Sequence, residues 1–160
     1  MKSLVRTMAD RLGPLSDDDF AQLVRVGPLI AVDLIVRNAQ GQVLLGRRNF
    51  EPAKDWCFVP GGRILKDERI GDAFKRIAHR ELGLNLAVEN ACFQGVHECF
   101  YPTSRFGLSS THYVVLAYEI TLATISDIVS DDQHSALEWV PEDELLRRAD
   151  VHTYVKAYFQ

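Results

Sequence analysis

A helix that carries one carboxylate on its apolar face constrains this chain more than any other feature. The segment Pro60–Leu84 reads PGGRILKDERIGDAFKRIAHRELGL. At about 100° per residue, helical positions 68 to 82 place four apolar side chains on one stripe. These are Ile70, Phe74, Ile77 and Ala78. Glu81 projects into the middle of the stripe. A buried, unpaired carboxylate costs several kcal/mol, so Glu81 needs a specific partner.

Three states of Glu81 satisfy that need: a protonated acid, an ion pair with Arg48, Arg63 or another nearby arginine, and a carboxylate bound to a cation. The residues before the helix favour the cation. Gly61 and Gly62 follow the apolar, strand-like run Trp56–Val59. Two glycines allow the backbone to approach an anion or a cation closely. The segment therefore predicts a site for a metal and a diphosphate.

The spacing of this segment resembles the signature of the Nudix hydrolases. It runs Gly62, five residues, Glu68, seven residues, Arg76, then Glu81, Gly83 and Leu84. The family pattern has a glutamate directly after the arginine and two adjacent glutamates before the final glycine. This chain has Ile77 and Arg80 at two of those three positions, and it keeps only Glu81.

In most Nudix enzymes those glutamates hold two or three divalent ions that activate water for attack on phosphorus. A chain with one such ligand is more similar to the GDP-mannose mannosyl hydrolase branch, which works with one metal and cleaves the sugar carbon–oxygen bond. The resemblance extends over nearly the whole chain. It includes residues 19–21, Asp33, 44–48, 58–63, 81–84, 111–116, Gln133, His134 and Trp139.

The resemblance implies a metal site and a general base. It makes the Gly61 carbonyl, the Glu81 carboxylate and Gln133 the ligands of one Mg²⁺ or Mn²⁺, and it makes His134 the base. Hard divalent ions prefer oxygen ligands, and imidazole accepts a proton from water near neutral pH. Gln133 and His134 end the acidic loop 130–134. Without the resemblance, a histidine in such a loop is more often an exposed residue with no function.

The resemblance also implies catalytic roles for Asp33, Arg48, Arg63 and Tyr113, and substrate contacts for Phe20, Arg48, Arg63 and Tyr113. Asp33 is the one charged residue in the apolar run 29–36. Its alternative is an edge-strand position that faces water. The alternatives for Arg48 and Arg63 are solvated surface charges, and Tyr113 is equally a core residue. Arg76 is interpreted as a salt bridge that anchors the helix.

The predicted reaction is displacement at the anomeric carbon. His134 deprotonates water, the hydroxide attacks C1 of the sugar, and GDP leaves with inversion. Two alternatives stay open: a Nudix pyrophosphohydrolase that attacks phosphorus, and a Nudix domain that binds nucleotide without turnover. Where the family carries a histidine this chain has Cys99, so no role is assigned to that position.

Composition predicts a single soluble domain over residues 1–160. The chain is 47% hydrophobic and 25% charged, with a net charge of −4, which argues against a general nucleic-acid binder. An odd number of cysteines without metal-ligand spacing predicts buried or partly buried thiols in a reducing cytoplasm. No apolar run reaches the about 18 to 20 residues of a membrane span. The family resemblance implies a homodimer, with the N-terminal helix 16–24 in its contact.

Periodicity and turn residues predict the order of the elements. Helices are expected at 16–24, 68–82, from 141 and near the C-terminus, and strands at 29–36, 43–47, 56–59, 86–88, 91–99, 111–122 and 136–140. A polar loop is expected at 101–110. Because the strands cluster instead of alternating with helices, the predicted fold class is α+β, a Nudix-like α/β/α sandwich with a mixed sheet.

Overall fold

The computed structural model describes residues 15–107, 109–123 and 134–160, with the backbone alone at residues 134 and 135. Within these ranges the helices are α1 (Asp17–Val26), α2 (Ile70–Leu82), α3 (Glu142–Arg147) and α4 (Thr153–Lys156), with 3₁₀ turns at Val88–Asn90 and Ala157–Phe159. The strands are β1 (Leu29–Arg37), β2 (Val43–Arg48), β3 (Cys57–Phe58), β4 (Gly61–Arg63), β5 (Cys92–Tyr101), β6 (Thr111–Thr121) and β7 (His134–Val140). Gln133 lies outside the described residues.

The described strands form one mixed sheet with β1 in its interior. The order is β3-β2-β1-β6-β5, with β4 paired to β1 and β7 paired to β2. β1 runs parallel to β6 from the pair Leu29 and Tyr113 to the pair Arg37 and Thr121, and the other pairs are antiparallel. The mixed sheet is as predicted. Asp33 therefore lies in an interior strand, and its edge-strand alternative is wrong.

Side chains alternate across β1 and belong to two separate cores. Ala31 and Ile35 pack in a cluster with Leu145 and Val155 of the C-terminal helices. Residues of the opposite face pack against α2: Val32, Leu34, Val36, Phe74, Ile77 and Leu82. Strand residues at i and i+2 share a face, so the apolar run of β1 supplies both cores at once. The helices on the two faces produce the predicted α/β/α arrangement.

Helix α2 has clear sequence reasons for its end and a later start than predicted. It ends at Gly83, which has a φ of 70° and donates its N–H to the His79 carbonyl. Only glycine adopts this left-handed conformation without steric cost. The helix begins at Ile70 instead of Glu68, and Ile70 is 44% exposed. Ile70 thus lies outside the buried stripe to which it was assigned.

Two other segments and two single residues differ from the prediction. The segment Leu86–Val88 forms no strand; a 3₁₀ turn begins at Val88. Residues Gly61–Arg63, expected in a loop, form β4 because they pair with β1. Tyr101, assigned to the polar loop, is buried at the end of β5, and Cys92 is exposed where a covered thiol was expected. Within the described ranges, no helix has both the length and the apolar character needed to cross a bilayer.

Candidate active site

Six of the predicted site residues line one cavity of about 680 Å³. They are Phe20, Asp33, Arg48, Gly61, Arg63 and Tyr113. The cavity opens on the sheet face that carries Ala31 and Val115, near the start of β1. Its wall combines residues of α1, α2, the six strands β1 to β6 and the C-terminal residues Tyr154 and Tyr158. Residues far apart in the sequence are therefore assembled around one volume.

Asp33 is held by contacts from two directions. In the β1–β4 pairing it lies directly opposite Gly61. The Tyr158 hydroxyl donates to Asp33 Oδ2 at 2.6 Å. On the other side, a Cβ added to Gly61 would collide with Asp33 Oδ1 and would lie 2.8 Å from the Val32 carbonyl oxygen. The carboxylate thus has a fixed place in the cavity wall.

The need for glycine at position 61 is one of space, because this residue does not have a positive φ. We expect Gly61→Ala to lower the free energy of unfolding by about 1–3 kcal/mol, the usual cost of overpacking, since the new Cβ would meet the Val32 backbone carbonyl as well as the Asp33 side chain. Urea unfolding measures the change. Gly27→Ala is the matched control, because nothing lies within 4 Å of a Cβ at Gly27. A Gly61→Ala protein as stable as the Gly27→Ala protein would contradict the close β1–β4 approach.

Two arginines of the cavity lie over aromatic rings. The Arg48 guanidinium is 5.0 Å from the centre of the Phe58 ring, and the Arg63 guanidinium is 4.7 Å from the centre of the Phe20 ring. Stacking against a ring fixes the guanidinium plane and leaves its N–H groups available for an anion. Both side chains are partly buried, so neither is a freely solvated surface charge. Burial lowers the pKa of Arg63 from its usual value.

Tyr113 lines the cavity together with Arg48 and Arg63. Burial raises the pKa of Tyr113, while Arg48 and Arg63 act in the opposite direction. The phenol is therefore a neutral hydrogen-bond donor at physiological pH, placed between two cations. It belongs to the cavity as well as to the edge of the core. A diphosphate fits such a set of donors and charges.

Arg76 has the structural role predicted for it. Its Nε donates to Glu68 Oε1 at 2.6 Å, and its Nη2 donates to the Arg63 carbonyl at 2.9 Å. The hydrogen bond from Arg76 is the largest of the effects that lower the pKa of Glu68. Glu68 in turn accepts from the Leu65 N–H at 2.9 Å. This network fastens α2 to the loop before it and to β4.

Glu81 is only 1% exposed, as its position on the apolar stripe predicted. Its Oε1 accepts hydrogen bonds from Nε of Arg80 at 2.9 Å and from Nη2 at 2.7 Å. The ion pair considered for Glu81 is thus present, with Arg80 as the arginine. Arg80 lines the cavity, and a Cβ at Gly62 would lie 2.8 Å from its Nη2. Of this pair, Arg80 lines the cavity and Glu81 does not.

Two of the predicted metal ligands carry oxygen atoms that suit a hard cation. The Glu81 carboxylate and the Gly61 carbonyl are ligands of the kind that Mg²⁺ takes. The described residues contain no group of three or more His, Cys, Asp or Glu side chains that could hold a metal.

The predicted base lies at the end of the sheet where the cavity is found. His134 begins β7, and its backbone pairs with Arg48 of β2. That register places position 134 next to a residue that lines the cavity. The roles of His134 as base and of Gln133 as metal ligand stay predictions.

Sequence reasoning missed the aromatic residues that the C-terminal segment contributes to the site. Tyr154 and Tyr158 line the cavity, and the Tyr154 hydroxyl donates to the Phe100 carbonyl at 2.9 Å. The two tyrosines are spaced four residues apart, which places them on one side of a helical segment. That spacing was the available signal. Cys99 also lines the cavity, and burial raises the pKa of its thiol to about 12, so it is neutral.

Comparisons with known proteins place this geometry in a family. The model of the NUDIX domain family matches residues 27–159. The low-salt glycan biosynthesis protein Agl8 of Haloferax volcanii is 40% identical over 146 residues, which cover 90% of this chain and 88% of that protein. The m7GpppN-mRNA hydrolase NUDT17 of Danio rerio is 31% identical over 91 residues, covering 54% of this chain and 30% of that protein.

Solved structures agree on the fold. A MutT protein from Methanosarcina mazei Go1 matches with a TM-score of 0.70 and 20% identity, covering 84% of this chain and 92% of that one. The NUDIX domain of Shewanella oneidensis NrtR, in complex with ADP ribose, matches with a TM-score of 0.64 and 15% identity, covering 91% and 96%. At such identities the similarity establishes the fold alone.

Proposed function

The chain belongs to the Nudix hydrolase superfamily, and we propose that it hydrolyses GDP-mannose or a related GDP-hexose to GDP and free sugar. The observation that carries the proposal is the reduced set of acidic side chains on α2. Ile77 is buried in the core and Arg80 is ion-paired, at two positions where the family has glutamates. One carboxylate, Glu81, remains there. A site with one such carboxylate suits one cation and attack of water at the sugar carbon instead of at phosphorus.

Arg48, Arg63 and Tyr113 in the cavity wall can stabilise a departing diphosphate. When the bond between sugar carbon and oxygen breaks, negative charge develops on the β-phosphate. Arg48, Arg63 and Tyr113 donate to that phosphate and stabilise the departing GDP more than the intact substrate. An already acidic diphosphate needs no carboxylic acid to protonate it, unlike the leaving group of most glycosidases. The cavity lining therefore matches the needs of the leaving group.

The nucleophile is a water molecule that His134 deprotonates. Attack at C1 from the face opposite the diphosphate inverts the anomeric configuration. A bound Mg²⁺ or Mn²⁺, held by Glu81, the Gly61 carbonyl and Gln133, would supply positive charge beside the diphosphate. Arg80 competes with that cation for the Glu81 carboxylate. Asp33 contacts the sugar, and Phe20 supports Arg63 through its ring.

The similarity to Agl8 of Haloferax volcanii is compatible with this substrate class. The name of that relative, low-salt glycan biosynthesis protein, connects it with glycan assembly. Glycan assembly draws on nucleotide-activated sugars, which are the small-molecule partners proposed for this chain.

The proposal also includes a homodimer. Sedimentation velocity tests this oligomeric state.

Two other outcomes correspond to other functions. A pyrophosphohydrolase would cleave GDP-mannose to GMP and mannose 1-phosphate. A binding module would leave the substrate intact, and the ADP-ribose complex of the NrtR domain is a solved example of ligand binding by this fold. Incubation of GDP-mannose with the enzyme and Mg²⁺, followed by NMR of the products, distinguishes the three.

Hydrolysis in ¹⁸O-labelled water locates the bond that breaks. We expect the label on the sugar and none on GDP, because attack at carbon leaves every phosphate oxygen in place. Mass spectrometry of the separated products reads the label. GDP incubated with the enzyme in the same water is the control for exchange. Label in a phosphate of the product would overturn the displacement at C1 and favour the pyrophosphohydrolase.

A further inference from the structure

The C-terminal segment supplies a hydrogen bond to the one acidic side chain of β1. Tyr158 lies in the 3₁₀ turn Ala157–Phe159, and its hydroxyl donates to Asp33 Oδ2 at 2.6 Å. The two residues are 125 positions apart in the sequence. A short hydrogen bond to a carboxylate is among the stronger ones in proteins. The contact therefore links the last element of the chain to the interior of the sheet at the cavity.

The Tyr158 ring is itself held in place. The His97 ring of β5 meets it edge to face, with 4.7 Å between the ring centres and an interplanar angle of 82°. The ring also packs against the buried cluster of the C-terminal face. Burial, together with the negative charge of Asp33, raises the pKa of Tyr158 far above its usual value, so the hydroxyl always carries its proton. Tyr158 is a permanent donor with a fixed direction.

The opposite side of the Asp33 carboxylate is closed by backbone. A Cβ on residue 61 would collide with Oδ1, so the carboxylate fits between the Tyr158 hydroxyl and Gly61 only because residue 61 has no side chain. Rotation of the carboxylate about its own axis would break the contact with Tyr158. The orientation of the Asp33 carboxylate in the cavity thus depends on Tyr158, which lies outside both α2 and β4.

We propose that Tyr158 is a positioning residue that holds the Asp33 carboxylate in the orientation that contacts the sugar of the bound nucleotide sugar. The inference rests on the proposed function, because it takes Asp33 as the sugar contact. It goes beyond that function by assigning a role to the C-terminal segment. A misplaced contact group lowers the rate of the chemical step without removing the nucleotide site, which Arg48 and Arg63 provide.

Tyr158→Phe tests the proposal, because it keeps the ring and removes only the donor. With GDP-mannose as substrate we expect kcat/KM to fall about tenfold, mostly in kcat. The inhibition constant of GDP is expected to change less than twofold. Tyr118→Phe is the matched control: Tyr118 packs on the opposite sheet face against Phe74, so removal of its hydroxyl leaves both quantities unchanged. Circular dichroism at the assay temperature checks that each variant is folded.

A double-mutant cycle with Asp33→Asn separates positioning from a general structural effect. If Tyr158 acts through Asp33, its removal adds little once Asp33 is asparagine, so the two losses are not additive. Additive losses, a parallel rise in the GDP inhibition constant, or a kcat/KM within twofold of wild type would overturn the proposal.

Failure of the proposed function gives a different result. It appears as wild-type protein that releases GMP or no product at all. In that case the affinities of GDP-mannose and GDP are compared by calorimetry. A loss of the difference between them in Tyr158→Phe would support the positioning of a sugar contact, and an unchanged difference would overturn it.

Discussion

Replacement of Glu81 by glutamine is expected to abolish turnover of GDP-mannose at moderate Mg²⁺ concentration. The side chain is 1% exposed and carries the carboxylate that α2 retains at the end of the signature. An amide oxygen is a much weaker ligand than a carboxylate for a hard divalent ion. We expect a loss of ~10³-fold or more in kcat/KM, on the scale of removing an essential charge from a metal site. Steady-state kinetics and Mn²⁺ binding followed by electron paramagnetic resonance measure the two effects.

The structural effect of Glu81→Gln is expected to be small. The Arg80 side chain is 43% exposed, so water hydrates the guanidinium when its partner loses charge. Arg80→Gln is the matched control, because it breaks the same ion pair from the other side. If Glu81 is a metal ligand, Arg80→Gln retains or increases Mn²⁺ affinity, whereas Glu81→Gln decreases it. Equal Mn²⁺ affinity in Glu81→Gln and wild type would show that Glu81 is not a metal ligand. Its carboxylate would then have only the structural role of the ion pair with Arg80.

The sequence predicted the burial of Glu81 but not the partner it has. Helical periodicity places side chains at i and i+4 on one face, and Glu81 follows from that rule. Neighbours at i and i+1 do not face each other on a helix, so Arg80 was counted as a missing glutamate instead of a partner. The long arginine side chain reaches back to Oε1 at 2.7 Å. Side-chain length and rotamer decide this contact, and sequence periodicity contains neither.

Strand β4 and Tyr158 were missed for a different reason. Glycine has a low intrinsic preference for strands, so Gly61–Arg63 looked like a loop. It becomes a strand because β1 offers paired backbone groups and because Gly61 fits against Asp33. The contact of Tyr158 with Asp33 joins two residues that are 125 positions apart in the sequence. This contact depends on the tertiary fold, so local sequence patterns do not predict it. By contrast, the alternation of side chains between the two faces of β1 and the apolar stripe of α2 are local patterns. The sequence therefore predicts them directly.

His134→Gln is expected to lower kcat by ~10²- to 10⁴-fold, the usual contribution of a general base. Position 134 begins β7, and its backbone pairs with Arg48, a residue that lines the cavity. Glutamine keeps a polar side chain of similar length but cannot take the proton of water. Nucleotide affinity is expected to stay close to wild type, since the arginines that hold the phosphates are unchanged. Rapid-quench measurement of the chemical step and a GDP titration separate these two effects.

The pH profile identifies the base independently of the size of the loss. A general base cannot act once it is protonated, so the wild-type rate is expected to fall on the acidic side as the imidazole takes up its proton. The acidic limb is expected to disappear in His134→Gln. Gln133→Ala is the control on the neighbouring residue: its loss should appear as weaker activation by Mg²⁺ that excess metal restores, while excess metal leaves His134→Gln impaired. An acidic limb that survives in His134→Gln would transfer the role of base to Asp33, whose carboxylate lies in the same cavity wall.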